Sequence, residues 1–405
     1  MKSANSDNVA SGQQTMQWQQ CAAPLFRNFF IAGFECSTFY RRNGTRLDLV
    51  ASTKHDVFCR QDYERLKRQG LLVAREGLRW HRIETTPGKH NFASVLPMIR
   101  NAEELGVQVL WDLCHYGWPD GLDLFSTEFV RRFAAFSAAF ARLVKNEAEG
   151  PHFFAPINEI SFFSWAGAES ATIGPYLRRR GFELKCQLAR AAIAAMEAVW
   201  TEVPNARFLH VDPVVNVVSN PKKPHLDATA EAYRRAQYQA WDMVAGEVCP
   251  ELGGHTKYLD IVGVNYYPHN QWEYRGKMIP RTDPRYRPFN EILLEVYQRY
   301  RRPMLIAETG TEKRDRPGWF RYVCEQARIA IAAGVPLHGI CLYPILNHPG
   351  WVDDRHCHNG LWDYADKKGN REICRSLAQE LRRQRALFEE QEEVTHGKRV
   401  CLPAA

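Results

Sequence analysis

Eight short apolar runs, at 29–35, 71–77, 107–113, 152–157, 207–212, 260–266, 303–308 and 338–343, alternate along the chain with segments whose apolar residues recur at helical spacing. Phe129, Phe133, Phe136, Phe140 and Leu143 mark one such helical segment over 129–144, and 184–199 is another. Strand runs too short to be helices, each followed by an amphipathic stretch, imply parallel strands joined by helical crossovers. Eight such units are the content of an α/β fold of the (β/α)8 TIM barrel type. No linker rich in Pro, Gly or Ser interrupts the alternation. The expected organisation is therefore a polar extension over 1–24, a single barrel domain over 25–387, and a charged tail over 388–405.

The composition narrows the function classes. With 405 residues, 45% hydrophobic and 24% charged, the chain can bury a large core, and no apolar run approaches the ~18–20 residues that span a bilayer. The net charge of +7 is spread in short basic runs with no nucleic-acid-reading module beside them. Eleven cysteines include no C-x-x-C pair, which points to reduced thiols rather than a disulfide framework or a zinc ribbon. The first twenty residues lack a basic segment followed by an apolar one. Together these features predict a cytoplasmic protein that binds no nucleic acid and no membrane.

In a barrel of this kind, chemistry gathers at the loops that follow the strands. Two of the eight runs end in glutamate: Glu159 after Pro156-Ile157-Asn158, and Glu308 after Leu305-Ile306-Ala307. A lone glutamate at a strand end is more often a helix cap or an ion-pair partner. Two carboxyl groups delivered to one cup from different strands match the requirement of glycosidic bond cleavage for a proton donor and a nucleophile or base.

The local motifs around these residues resemble those of glycoside hydrolase family 1, the β-glucosidase and 6-phospho-β-glucosidase group. Asn158-Glu159-Ile160 is similar to the family's Asn-Glu-Pro, and Ala307-Glu308-Thr309-Gly310 to its Thr/Ala-Glu-Asn-Gly. The run from Arg75 to Ile83 keeps the spacing of Arg-Phe-Ser-Ile-Ser-Trp-Ser-Arg-Ile. His115-Tyr116-Gly117-Trp118-Pro119 resembles His-Trp-Asp-Leu-Pro, and Val262 to Tyr267 resembles Ile-Gly-Ile-Asn-Tyr-Tyr. Tyr343 to Trp351 is spaced like Trp-Ser-Leu-Leu-Asp-Asn-Phe-Glu-Trp. The matches occur in order and cover nearly the whole barrel.

The resemblance implies a retaining double displacement with Glu308 as nucleophile and Glu159 as acid and then base, separated by roughly 5–5.5 Å. Arg75 and Tyr267 would hold the Glu308 pKa down, Asn158 would bond the sugar 2-hydroxyl, His115 would contact another hydroxyl, and Trp351 would stack on the ring. Structural alternatives stand beside these roles: an ion pair for Arg75, core packing for His115 and Tyr267, and core packing for Trp118 and Trp165 as further stacking residues. A small carbohydrate or glycoside partner is implied, and no cofactor or metal. The Gln and Glu with which the family clamps its sugar are missing: Glu35 or Tyr40 is offered near the first, and Gly350 stands at the second. Arg41, Arg42, Lys89 and Arg355 are basic residues that either serve an anionic sugar or are surface charges. His356-Cys357-His358 forms a solvated loop or a metal-binding one, and His210 and Asp212 face either substrate or packing. Besides a β-glycoside hydrolase, the sequence admits a transglycosylase using the same intermediate, and a sugar-binding scaffold without turnover.

Overall fold

The computed structural model describes residues 24–400. All but the last residue of the expected 1–24 extension, and residues 401–405 of the expected tail, lie outside the described residues. Eight parallel strands close into a barrel: β1 (Phe30–Gly33), β2 (Val73–Gly77), β3 (Gln108–Asp112), β4 (Phe153–Ala155), β5 (Arg207–Pro213), β6 (Ile261–Asn265), β7 (Met304–Thr309) and β8 (Leu337–Leu342). Each pairs with its sequence neighbours, and β8 returns to β1 through Phe30 and Ile340. Every strand lies on one of the eight apolar runs.

A helix follows each strand: α1 (His55–Arg68), α2 (Leu96–Leu105), α3 (Thr127–Glu147), α4 (Gly181–Glu202), α5 (Gln239–Ala245), α6 (Phe289–Tyr300), α7 (Arg316–Ala332) and α8 (Arg375–Val400). The α3 helix shows why its segment is helical. Ser126 caps its start by accepting a hydrogen bond from the Phe129 amide at 3.1 Å, and Phe129, Phe133, Phe136, Phe140 and Val144 form one buried stripe. The α8 helix runs on past residue 387, and Phe388 stacks on Phe29 with ring centroids 4.4 Å apart.

Strand alternation divides the core in two. Ile31, Val73, Leu110, Phe153, Leu209, Val211, Ile261, Leu305 and Ala307 fill the barrel interior, while Ala74, Trp111, Phe154, Phe208, Val262 and Ile306 pack outward against the helices. The same alternation aims Arg75, Asp112 and Asn265 inward at the strand ends. Along β7 it would send Glu308 outward, but the register slips against both neighbours, between Val264 and Asn265 on β6 and between Ile340 and Leu342 on β8. This irregularity re-aims Glu308 into the cup and leaves Thr309 facing out, where its Oγ1 accepts from Trp319 Nε1 at 2.9 Å.

Candidate active site

A cavity of about 690 Å³ opens over the strand ends, and Glu159 and Glu308 both line it. Glu35, His115, Tyr116, Tyr267 and Trp351 share its walls with them. Phe162, Trp165, Tyr233 and Trp272 give its outer part an apolar lining.

Glu308 is held from two sides. Arg75 Nη1 donates to its Oε1 at 2.8 Å, and the Tyr267 hydroxyl donates to its Oε2 at 2.8 Å. Arg75 is fixed in turn by Asp112, which accepts from Nε at 3.0 Å and from Nη2 at 2.8 Å. Burial lifts the Glu308 carboxyl above its ordinary value, and the Arg75 charge and the Tyr267 hydrogen bond pull against that lift. The expected downward pull is present, but desolvation outweighs it, so the net displacement is upward rather than downward.

Glu159 has no cation beside it. Its Oε1 accepts from Asn265 Nδ2 at 2.8 Å and its Oε2 from the Tyr116 hydroxyl. Burial first, and the charge of Glu308 second, raise its pKa to about 7, while these two hydrogen bonds oppose the rise. Its backbone is left-handed, with φ of 48°, as is that of Tyr116 with φ of 62°. Neither is glycine, so each conformation carries strain of order 1–3 kcal/mol. The Glu159 amide donates to the Val211 carbonyl at 2.9 Å and its carbonyl accepts from the Phe163 amide at 2.7 Å, which fixes the turn that leads from the end of β4 into the following helix.

The remaining residues of the sequence reading divide between wall and floor. His115, Tyr267 and Trp351 line the cavity. Arg75 and Asn158 are buried beneath it: Asn158 Oδ1 accepts from Arg75 Nη2 at 2.7 Å, and its Nδ2 lies 3.0 Å from the Tyr116 hydroxyl and 3.1 Å from His115 Nε2. Its polar atoms are engaged with protein groups rather than turned to the cavity. Since Arg75 fixes which end of the Asn158 amide is oxygen, His115 Nε2 is the acceptor, and its Nδ1 donates to Asp112 Oδ2 at 2.9 Å. Trp165 stands at the cavity mouth, 42% exposed, whereas Trp118 packs against Phe163 at 5.9 Å. His210 Nε2 lies 2.7 Å from the Tyr258 carbonyl, and Asp212 accepts from the Ser161 amide at 3.0 Å, so both belong to packing.

Tyr116 and Asn265, which flank Glu159, lie within sequence motifs that give them no role by themselves. Only the turn after β3 and the end of β6 reveal their aim. Phe162 lies on a short helix after β4, Tyr233 on a helix between β5 and β6, and Trp272 on a three-residue strand after β6, all outside the eight apolar runs. The basic residues considered for an anionic sugar are largely engaged: Arg41 pairs with Asp354 at 2.9 Å and Arg355 with Glu312 at 2.6 Å, and Arg42 donates to the Ala171 carbonyl. Gly350 cannot carry a longer side chain without rearrangement, because a Cβ there would meet Asp353 Oδ1 at 2.0 Å. In the neighbouring loop His356 Nε2 contacts Asp363 Oδ1 at 2.7 Å and its ring stacks on Tyr364 at 4.1 Å.

No family model matches the sequence, and no curated protein matches it. Solved structures do match. A β-glucosidase from Thermotoga maritima in complex with glucoimidazole superposes with a TM-score of 0.75 at 16% identity, over 89% of this chain and 99% of that one. The chain shares the (β/α)8 barrel fold of that structure. The AHE enzyme from Alicyclobacillus herbarius gives a TM-score of 0.74 at 15% identity, covering 89% of this chain and 97% of that chain. A family 1 β-glucosidase from Thermotoga maritima gives 0.71 at 17%, over 87% and 96%. Among the described residues no helix is long and apolar enough to cross a membrane.

Proposed function

We propose that the protein is a retaining glycoside hydrolase that cleaves a β-linked glycoside through a covalent glycosyl-enzyme intermediate. The observation that carries this reading is the unequal treatment of two carboxyl groups in one cavity. Glu308 has a guanidinium at 2.8 Å to stabilise its anion, whereas Glu159 has only neutral donors and is raised to about 7. Such a difference in environment sorts two chemically identical groups into nucleophile and acid.

In the first step a Glu308 oxygen attacks the anomeric carbon, the bond to the aglycone oxygen breaks, and Glu159 gives that oxygen its proton. In the second, Glu159 as carboxylate takes a proton from water, the water oxygen bonds to the anomeric carbon, and Glu308 leaves as carboxylate. Tyr267 moves from steadying the anion to steadying the ester oxygen. Trp351 would stack on the sugar, His115 would meet it only through ring carbons because its nitrogens are held by Asp112 and Asn158, and Phe162, Trp165, Tyr233 and Trp272 favour an apolar aglycone. Arg75 and Asn158 act from beneath, as positioning residues. Nine cysteines among the described residues are free thiols, which suits a cytoplasmic location.

The test is turnover of a panel of aryl β-glycosides, with the anomeric form of the first product read by proton NMR. Retention is expected, together with loss of turnover in Glu308→Gln and attachment of a 2-fluoro glycoside to the Glu308 peptide by mass spectrometry. Inverted product, or label on another residue, overturns the assignment. Binding without turnover across the panel would mark a sugar-binding barrel instead.

A further inference from the structure

We propose that the sugar selected by this cavity carries a positive charge: an aminodeoxy glycoside whose ammonium group is bound by Glu35. The inference rests on the glycoside reading above and adds the substrate class to it.

Glu35 follows β1 and lines the same cavity as Glu159 and Glu308, with only 8% of its surface exposed. Its Oε1 is fixed by Ser37, whose amide donates at 3.0 Å and whose hydroxyl donates at 2.6 Å. Among the described residues its Oε2 has no hydrogen-bond donor, and no Lys, Arg or His nitrogen lies within 4.0 Å of the carboxylate. A carboxylate removed from most of its water is stabilised by a cation or a further donor, and the protein supplies neither to Oε2. Tyr40, the other residue available after β1, is turned away: its hydroxyl donates to Asp120 at 3.0 Å.

The cations nearby are already committed. Arg75 is shared between Asp112 and Glu308. His115 is held by Asp112 through Nδ1 and by Asn158 through Nε2, so neither ring nitrogen is free for Glu35. Lys185, elsewhere on the wall, donates to Gln239 Oε1 at 2.9 Å beside the buried carboxyl group of Asp212. Even with His115, whose pKa burial lowers but Cys36 and Asp112 raise on balance, counted as a cation beside Arg75, the three carboxylates of Glu35, Glu308 and Asp112 outnumber the cations of the inner cup. A neutral hydroxyl on the sugar would satisfy one lone pair of Glu35 but leave this excess uncompensated. An ammonium group supplies both the donors and the charge. An amide side chain would serve a neutral sugar at no such cost, so the carboxylate at this position selects for the cation.

The experiment compares 4-nitrophenyl β-D-glucoside and β-D-galactoside with their 2-, 3-, 4- and 6-amino-deoxy analogues. It measures kcat/KM for the wild-type protein and for Glu35→Gln, which retains an acceptor for Ser37. At least one amino analogue is expected to exceed its neutral parent by about tenfold or more, the scale of a charge-assisted hydrogen bond, and Glu35→Gln should reduce that ratio to about threefold or less. Preference for both neutral parents over every analogue, or a preference that survives Glu35→Gln, overturns the proposal. The same compounds are titrated calorimetrically into Glu308→Gln. Tighter binding of an amino analogue there, with no turnover of any glycoside by the wild type, would uphold the charge recognition while overturning the hydrolase reading. Equal or weaker binding of all the analogues would overturn the charge recognition by itself. The wild-type ratio is readable even if Glu35→Gln fails to fold.

Discussion

Tyr116 donates its hydroxyl hydrogen to Glu159 Oε2, and the donor is the first link of a chain that reaches the other carboxyl group. The Tyr116 oxygen accepts from Asn158 Nδ2 at 3.0 Å, Asn158 Oδ1 accepts from Arg75 Nη2 at 2.7 Å, and Arg75 Nη1 donates to Glu308 at 2.8 Å. The two glutamates are thus joined beneath the cavity floor as well as facing each other's charge across it. A change at one end alters the polarity of every bond along the chain.

Removal of the first link should be visible in the pH profile. The Tyr116 hydrogen bond lowers the Glu159 pKa, so Tyr116→Phe raises it. Glycoside cleavage needs Glu159 protonated, and activity falls as pH rises through its pKa. The alkaline limb of kcat/KM should therefore move to higher pH in Tyr116→Phe, by about one unit for the loss of one hydrogen bond worth ~1 kcal/mol. An unmoved alkaline limb would show that Tyr116 does not govern the acid.

Arg75 acts at the opposite end and with opposite sign. It lowers the Glu308 pKa, and the nucleophile must be ionised, so Arg75→Gln should move the acidic limb of kcat/KM to higher pH. The substitution also leaves Asp112 and Glu308 without their shared cation in a buried site. A loss of stability of about 3–5 kcal/mol is expected by urea unfolding. Arg75→Lys retains the charge but not the fork that spans Asp112, Asn158 and Glu308. It should restore the acidic limb more fully than it restores stability.

The barrel and both carboxyl groups were legible in the sequence because each is written in local signals. A strand four to eight residues long needs a continuous apolar run, and a catalytic side chain at a strand end sits at the end of such a run. Glu159, Glu308 and Tyr267 meet that condition, whereas Arg75 stands in the middle of β2. The role of Asn158 was less accessible: its place beside Glu159 suggests a sugar contact, but its aim depends on Arg75 and His115, which arrive from other strands. The inward turn of Glu308 depends on a register slip that a two-residue alternation does not encode. The apolar residues of the outer cavity come from short helices and a short strand between the barrel units, whose approach to the cup no local pattern encodes, and Glu35 gains meaning only once its lack of a cation is seen.

Outside the cavity, His55 on α1 gives the fold a pH dependence of its own. Its Nδ1 lies 2.9 Å from Asp62 and its Nε2 3.0 Å from Glu76 on β2, with both contacts buried. Burial alone would lower its pKa, but Glu76 and Asp62 together raise it to about 9. A histidine whose folded pKa exceeds its unfolded value of ~6.5 contributes its full stability below ~6.5 and loses it as pH rises through the folded value. The free energy of unfolding should fall by about 3 kcal/mol between pH 6.5 and pH 9.5, an order-of-magnitude figure from the size of the shift. Urea denaturation across that window measures it, and His55→Gln should flatten the slope.

Glu159→Ala separates the two halves of the proposed reaction. Without the acid, a glycoside with a poor leaving group cannot form the intermediate, but an activated aryl glycoside needs no proton and should still load Glu308. Breakdown then stalls, because no carboxylate remains to take the proton of the attacking water. Steady-state turnover of the activated substrate should fall by about 10²–10⁴-fold, the usual contribution of a positioned acid or base, and a burst of released nitrophenol equal to the enzyme concentration should precede it. Azide, a small anion that needs no general base, should fit the space left by the side chain and restore turnover, giving a β-glycosyl azide detectable by mass spectrometry and NMR. Retained turnover without azide, and no azide product, would assign the acid to another residue. The carboxyl group of Glu35, which lines the same cavity, is the alternative.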